Sequence, residues 1–538
     1  MVLAILIRLF VIFYYGPYVS IHSDDAGYLR SAEWLLKSHI YAYYTPDAPT
    51  VHMLPGMTFI LAGVIALFGQ GAVGLYAGKI VFTLIGAFGI VGAYQSVAYV
   101  WNRYAAFVVA LFLAVYVPGI ETDTLFLTET PFMAAFAWTV FWLLKVADTH
   151  KLRHVVFATL WFMVAMYFRP NLLLWAVVAF VYLLMKRYPW RKLVGQGVIA
   201  AAIVIVCILP WWIRNFLVFH QFIALTDDAA NPLLLGTFQG VNFPAPNNPT
   251  VVEHHILDVH PNLRPQRMHE IPWFQAEQHA AMYRIREWHH NSPQDFWRSY
   301  LWIKPGILWN RAYFPIRMLG ILASTLNAVQ PVLLWASLIG HGIALLFARG
   351  KRKEVLLVLL TLLYFTALFA VFFAYQRYNV PLMWLMFSGV PSGVYGLIEA
   401  AKRLAGASTG RRPFVNVHRV VGGPGAYLAA QIRSSRSWRN MLYYLWKYTS
   451  ESTGDWVWRE SGSVKCSSRS ACLRLNSCSR RYSTSKRRRN VSGTSSSTKA
   501  TSHRNSSLRS SSFNSGFPMC SLPATASRVA YSNSFQND

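Results

Sequence analysis

The chain has 538 residues, 54% hydrophobic and 15% aromatic but only 13% charged, about half the charged share of an ordinary soluble protein. Repeated apolar runs of spanning length exclude a soluble enzyme and make it a polytopic membrane protein. The formal net charge of +28 misleads if read as a whole, because +17 of it falls from Ala405 onward, where 21 Lys and Arg face 4 Asp and Glu; such a tail could bind RNA or anionic lipid headgroups, but it reads as functionless and no nucleic acid is expected.

The first apolar run, about residues 2–19, has no small-residue cleavage site before Asp24 and reads as a retained span rather than a signal peptide. Ser23-Asp24-Asp25-Ala26-Gly27-Tyr28 follows at once and continues into Leu29 to Leu36. Adjacent carboxylates at a membrane mouth cost free energy, since water is scarce there and like charges repel. Two readings are open at this point. The pair serves proton chemistry or cation binding, or it only starts an amphipathic helix, where the helix dipole favours Asp.

Further spans are expected near 74–100, 104–118, 130–147, 154–168, 171–187, 193–213, 329–348, 355–374 and 380–400, about ten with the first. The run from Pro55 to Gly69 is apolar but short, and charge decides its role. If it lies in the interface and the N-terminus is cytoplasmic, then Asn102-Arg103, Lys145 to Arg153, Lys186 to Lys192, Arg349 to Lys353 and Lys402-Arg403 all fall inside, as the positive-inside rule asks. The same choice collects Asp24, Asp25, Glu33, Glu121, Asp123 and Glu129 on the outer side, with Arg169-Pro170-Asn171 as a tight hairpin and Gln376-Arg377-Tyr378. That asymmetry points to an extracytoplasmic site.

The expected organisation is a catalytic membrane module over 1–213 with its acidic loop at 20–56, a helical outer segment over 214–318, membrane helices over 319–404 and a tail over 405–538. The outer segment starts as a Pro- and Asn-rich loop, Asn242 to Pro249, and carries two helices, Pro272 to His290 and Pro293 to Trp309, each opened by a proline suited to a first turn. The second is aromatic-rich, as interfacial helices are. His254-His255 and His289-His290 show no tested zinc spacing and read as surface histidines. Of the five cysteines only Cys207 lies in an apolar run, and no disulfide framework is implied. The tail is rich in Ser and Arg without apolar periodicity, so it is expected to be disordered and to carry no chemistry. Such an abrupt change is what an out-of-frame C-terminus looks like.

Four stretches together resemble one family, the bacterial protein O-mannosyltransferase-like and aminoarabinose-transferase-like glycosyltransferases, family 39-like and of the GT-C fold. Asp24-Asp25-Ala26-Gly27-Tyr28 resembles the family's acidic first outer loop, and Pro55-Gly56 with Leu67-Phe68-Gly69 its Pro-Gly segment. Leu127-Thr128-Glu129-Thr130-Pro131-Phe132 resembles its Thr-Glu start of a span, and Pro210-Trp211-Trp212-Ile213-Arg214-Asn215 its Pro-Trp-x-x-Arg-Asn junction. Phe168-Arg169-Pro170, Ser292-Pro293 and Arg377-Tyr378 are weaker echoes. The acidic pair is Asp-Asp where the family has Asp-Glu, and His52 stands where it often has Pro or a small residue.

The resemblance implies an all-α polytopic bundle in a bacterial plasma membrane. It implies transfer of a sugar from a polyprenyl-phosphate donor to a hydroxyl acceptor on the extracytoplasmic face, with inversion. Asp24, Asp25 and Glu129 become the catalytic candidates, with Asp24 as base and Asp25 orienting it or sharing a divalent cation. Arg377, Arg214 and Arg169 become candidates for the donor phosphate, and Tyr28 and His52 for positioning donor and acceptor. Arg214 also reads as a snorkelling helix end. The alternative function is a transporter or flippase with outer carboxylates as ion sites; it would want charges near mid-span and an internal two-fold repeat, and the sequence offers neither.

Overall fold

The computed structural model describes residues 1–227, 229–263 and 270–408. The tail beyond Ser408, with Cys466, Cys472, Cys478 and Cys520, lies outside the described residues. Among the described residues helices joined by loops are the only regular structure, apart from one isolated bridge between Ala42 and Pro49. The three expected segments up to residue 404 belong to one unit, Met1–Asn416.

Helix α1 (Val2–Tyr15) stops at Gly16, whose φ of 84° no side chain tolerates well. The outer loop follows, with α2 (Asp24–Ser38) and α3 (Gly56–Phe68). At 13 residues α3 reaches about 20 Å, too short for a 30 Å hydrocarbon core. Next come α4 (Ala72–Val100), α5 (Arg103–Val115), α6 (Val117–Thr124), α7 (Glu129–Thr149), α8 (Leu152–Phe168), α9 (Trp175–Met185) and α10 (Trp190–Phe219). The outer segment holds α11 (Ala230–Gly236), α12 (Pro249–Val259), α13 (Glu270–Asn291), α14 (Pro293–Arg298) and α15 (Lys304–Trp309). The chain closes with α16 (Ala323–Phe347), α17 (Arg352–Val371), a 3-10 turn Gln376–Leu382, α18 (Met383–Phe387) and α19 (Gly389–Ser408).

Every expected span has its helix, but they are not equal. Among the described residues six helices are long and apolar enough to cross a membrane, seven if α5 and α6 count as one bent span. Val2–Tyr15, Leu152–Phe168 and Pro170–Met185 are shorter. The expected straight span over 104–118 is corrected: the axis turns by 58° between α5 and α6. Tyr116 is extended (φ −68°, ψ 107°) and Pro118 stands in the first turn of α6, where a missing N–H costs nothing. Glu121 and Asp123, expected on an outer loop, are instead buried on α6.

The two expected outer helices are also redrawn. Glu270 rather than Pro272 opens α13, and the second helix is α14 and α15 joined by a π-helical turn, Ser299–Ile303. Trp297, Leu301 and Trp302 project from it, exposed. The Arg169 hairpin is a 3-10 turn, Pro170–Leu172.

Buried polar staples hold the end of the bundle where α2 and α6 lie. Arg8 of α1 pairs with Asp123 of α6, and Asp123 also accepts from Thr130 Oγ1 of α7 at 2.6 Å. Gly86 makes the room: a Cβ there would overlap the Asp123 carboxylate. Lys79 donates to Val19 O (2.9 Å) and Thr124 O (2.7 Å), tying the first outer loop to the end of α6. These charges lie inside helices, which hydropathy alone had not led one to expect, yet each is spent on a fixed protein partner.

Candidate active site

At the N-terminus of α2, Asp24 and Asp25 point apart, as successive helical residues must. Asp25 is buried, and its carboxylate accepts from Ile21 N (2.9 Å), Ser23 N (3.1 Å) and Ala26 N (2.9 Å). It shapes the loop. The role expected for it, in orienting Asp24 or sharing a metal with it, is corrected: its oxygens are spent on backbone donors. Asp24 faces the other way, its side chain 29% exposed, and meets Arg377 Nη2 at 2.5 Å.

Arg377 comes from the turn between α17 and α18 and is 8% exposed at its side chain. Its Nε lies 2.9 Å from Glu129 Oε1, as an ion pair without hydrogen-bond alignment. Its Nη1 has no partner among the described residues. Glu129, at the first turn of α7 and almost fully buried, also pairs with Arg169 Nη2. Arg169 Nε donates to Thr128 Oγ1 at 3.2 Å. The Tyr378 ring lies between the two guanidiniums, 5.0 Å from Arg169 and 5.8 Å from Arg377. The result is a row, Asp24–Arg377–Glu129–Arg169, of two carboxylates and two guanidiniums, contributed by α2, the 3-10 turn, α7 and the end of α8.

Burial pushes the Asp24 carboxyl up, but the charge and hydrogen bond of Arg377, with His52 and Arg169 adding, outweigh it and hold Asp24 below its ordinary range. Burial, and then the charge of Asp24, pushes the Tyr28 hydroxyl well above its usual value, so it stays a neutral donor. Tyr28 sits with its ring 6.1 Å from that of Tyr43, which stacks on His52 at 4.5 Å. Gly27 permits this, because the Tyr43 hydroxyl occupies the space a Cβ would need. His52 Nδ1 lies 3.0 Å from Tyr44 Oη. Tyr28, Tyr43 and His52 thus form one wall beside Asp24.

Arg214 is not brought to this row. Its Nη1 donates to Thr50 O (2.7 Å) and Asn215 Oδ1 (3.0 Å), and its Nη2 to Tyr41 O (3.3 Å). The rings of Tyr41, Trp211 and Phe219 surround it at 5.1 to 5.4 Å. The expected phosphate contact is therefore corrected to a clamp on the first outer loop. Glu270 completes that clamp, accepting from Thr50 Oγ1 (2.6 Å) and Val51 N (2.8 Å). Glu270 and Lys79 stand far along the chain from the loop they hold and carry no signal in the sequence, whereas Thr128 stands out only as the neighbour of Glu129.

No three His, Cys, Asp or Glu side chains among the described residues gather to hold a metal ion. Asp24 and Glu129 already face guanidiniums and Asp25 backbone donors, so this donor set does not fit a divalent cation.

Residues 47–213 match the family model described as dolichyl-phosphate-mannose-protein mannosyltransferase. No curated protein matches the chain. Among solved structures, the Archaeoglobus fulgidus oligosaccharyltransferase in the apo form is 13% identical, with a TM-score of 0.46 over 84% of this chain and 58% of its own. The same organism's oligosaccharyltransferase AglB, in complex with an inhibitory peptide and a dolichol-phosphate, is 15% identical, with a TM-score of 0.45 over 86% of this chain and 61% of its own. ArnT from Cupriavidus metallidurans bound to undecaprenyl phosphate is 14% identical, with a TM-score of 0.35 over 78% of this chain and 82% of its own. The chain spans about three fifths of the oligosaccharyltransferases it matches. Glu129 and Arg169 both fall within the stretch 47–213, which matches the mannosyltransferase family that the sequence motifs resemble.

Proposed function

We propose that this membrane protein is a glycosyltransferase that moves one sugar from a polyprenyl-phosphate donor to a hydroxyl acceptor on the extracytoplasmic face, with inversion. The observation that carries the reading is Asp24. It is a carboxylate with one open side, held 2.5 Å from a guanidinium that itself keeps an unused buried N–H. The family match over 47–213 supports the class.

The acceptor hydroxyl gives its proton to Asp24 as its own oxygen bonds to the sugar C1. The bond from C1 to the phosphate oxygen breaks, and its electron pair leaves on the polyprenyl phosphate. That leaving group gains charge and needs no proton, only donors, and guanidinium geometry matches phosphate oxygens. Arg377 and Arg169 supply them. Asp24 then returns its proton to water. The sugar and the acceptor, whether glycan, lipid or protein, follow from contacts beyond this row.

Membranes carrying the protein, given radiolabelled polyprenyl-phosphate sugars, test the reading. One donor is consumed, and Asp24→Asn lowers that rate by about 100- to 10,000-fold while the protein stays inserted. Near-normal turnover by Asp24→Asn removes Asp24 as base. Consumption of no donor by the inserted wild type removes the enzyme class.

A further inference from the structure

The Asp24–Arg377–Glu129–Arg169 row is closed on itself. Two carboxylates balance two guanidiniums, so as it stands the row presents no net positive charge to an incoming phosphate. Arg377 is the shared member: Nη2 holds Asp24, Nε faces Glu129, and only Nη1 is unspent. A phosphate received on the Nη1–Nη2 edge of Arg377 lies beside the Asp24 carboxylate already seated on Nη2, and the two anions repel. Glu129 is buried and braced by Arg169, whereas Asp24 is the exposed end of the row. Asp24 is therefore the carboxylate that gives way.

We infer that the Asp24–Arg377 ion pair is a catch that holds the base out of use until the donor's phosphate takes Arg377. This rests on the reading of the site as a polyprenyl-phosphate glycosyltransferase. While the catch is closed, Asp24 Oδ2 is masked by Arg377 and a bound acceptor hydroxyl is not activated. When the phosphate arrives, one event opens Asp24 and fills the leaving-group site. Donor binding then precedes activation of the acceptor.

The consequence runs against the usual expectation for a catalytic residue. Removing the Asp24 charge removes the competitor for Arg377, so the base-less variant binds the lipid phosphate more tightly. Equilibrium binding of a polyprenyl phosphate to the purified full chain in detergent tests this, comparing wild type, Asp24→Asn, Arg377→Gln and Asp47→Asn. Asp47 is an exposed carboxylate of the same outer loop that is not paired with Arg377. The catch predicts binding about 3- to 10-fold tighter for Asp24→Asn, weaker for Arg377→Gln and unchanged for Asp47→Asn. If wild type binds and Asp24→Asn binds equally or less well, the catch is overturned while the glycosyltransferase reading stands. Equal tightening by Asp47→Asn also overturns it, since diffuse repulsion then explains both. If neither wild type nor Asp24→Asn binds the lipid phosphate, the functional reading itself fails.

Discussion

Asp24 carries two opposed influences, burial that raises its carboxyl and the Arg377 guanidinium that lowers it, and the second prevails. The groups facing it are Arg377 from the 3-10 turn, His52 from the outer loop, Arg169 from the end of α8 and Tyr28 on its own helix. A base works ionised, so a lowered value keeps the free enzyme competent as pH falls. The acid limb of kcat/KM for the donor, which reports the free enzyme, should lie below the ordinary Asp value of about 4. Once the phosphate has taken Arg377, burial acts with less opposition, and the acid limb of kcat, which reports the complex, should lie at higher pH. Coincident limbs would mean that Arg377 stays on Asp24 through the cycle. The resemblance singled out Asp24 as base, but the sequence left Asp25 a share in the same chemistry. Their division of labour comes from the turn of nearly 100° between successive helical side chains, and that is legible only once the helix register and Arg377, 353 positions away, are in place.

The outer loop runs on from the helix that carries the aspartates, and its base is pinned from two elements. Arg214 holds Thr50 O and Tyr41 O from α10, and Glu270 holds Thr50 and Val51 from α13. Thr50 N donates to Tyr41 O at 2.9 Å, closing a loop whose tip, Tyr44 to Ala48, is exposed. Such a frame keeps the Tyr43–His52 wall beside Asp24 without fixing the tip. Arg214→Ala or Glu270→Gln should speed amide hydrogen exchange over residues 41–54 by about 10-fold or more, with α7 and α8 unchanged. Exchange that rises equally in the helices would mean that these residues serve global stability. Hydropathy made the span helices legible, including α10. It did not say that α10 runs 30 residues, about 45 Å, and so carries Arg214 past the hydrocarbon to meet a loop 164 positions away. The bend at α6 was written in Pro118-Gly119, but a charge-poor run masked it until the burial of Glu121 and Asp123 required an explanation.

Across the whole molecule, cations meet two fates at the two ends of the bundle. At one end Lys186 bridges Asp148 (2.7 Å) and Glu354 (2.8 Å), Tyr99 also binds Asp148, and around them Arg103, Lys151, Arg153, Arg187, Arg191, Lys192, Arg349, Arg352, Lys353, Lys402 and Arg403 are mostly exposed. At the other end Arg169 and Arg377 are buried and paired. Exposed basic loops suit a cytoplasmic leaflet of anionic lipid, and buried arginines at an acidic mouth suit phosphate chemistry. The four members of the row and the aromatic residues beside them all lie between Asp24 and Tyr378 in the chain, before Ser408. Truncation after Ser408 should therefore leave donor consumption by membranes within about 2-fold of the full chain, a change smaller than 0.5 kcal/mol in the barrier. A non-catalytic scaffold acting through its basic tail would lose its function with the same cut. Loss of donor consumption by a truncated protein that still inserts would assign the tail a part in catalysis that the geometry of the row does not require.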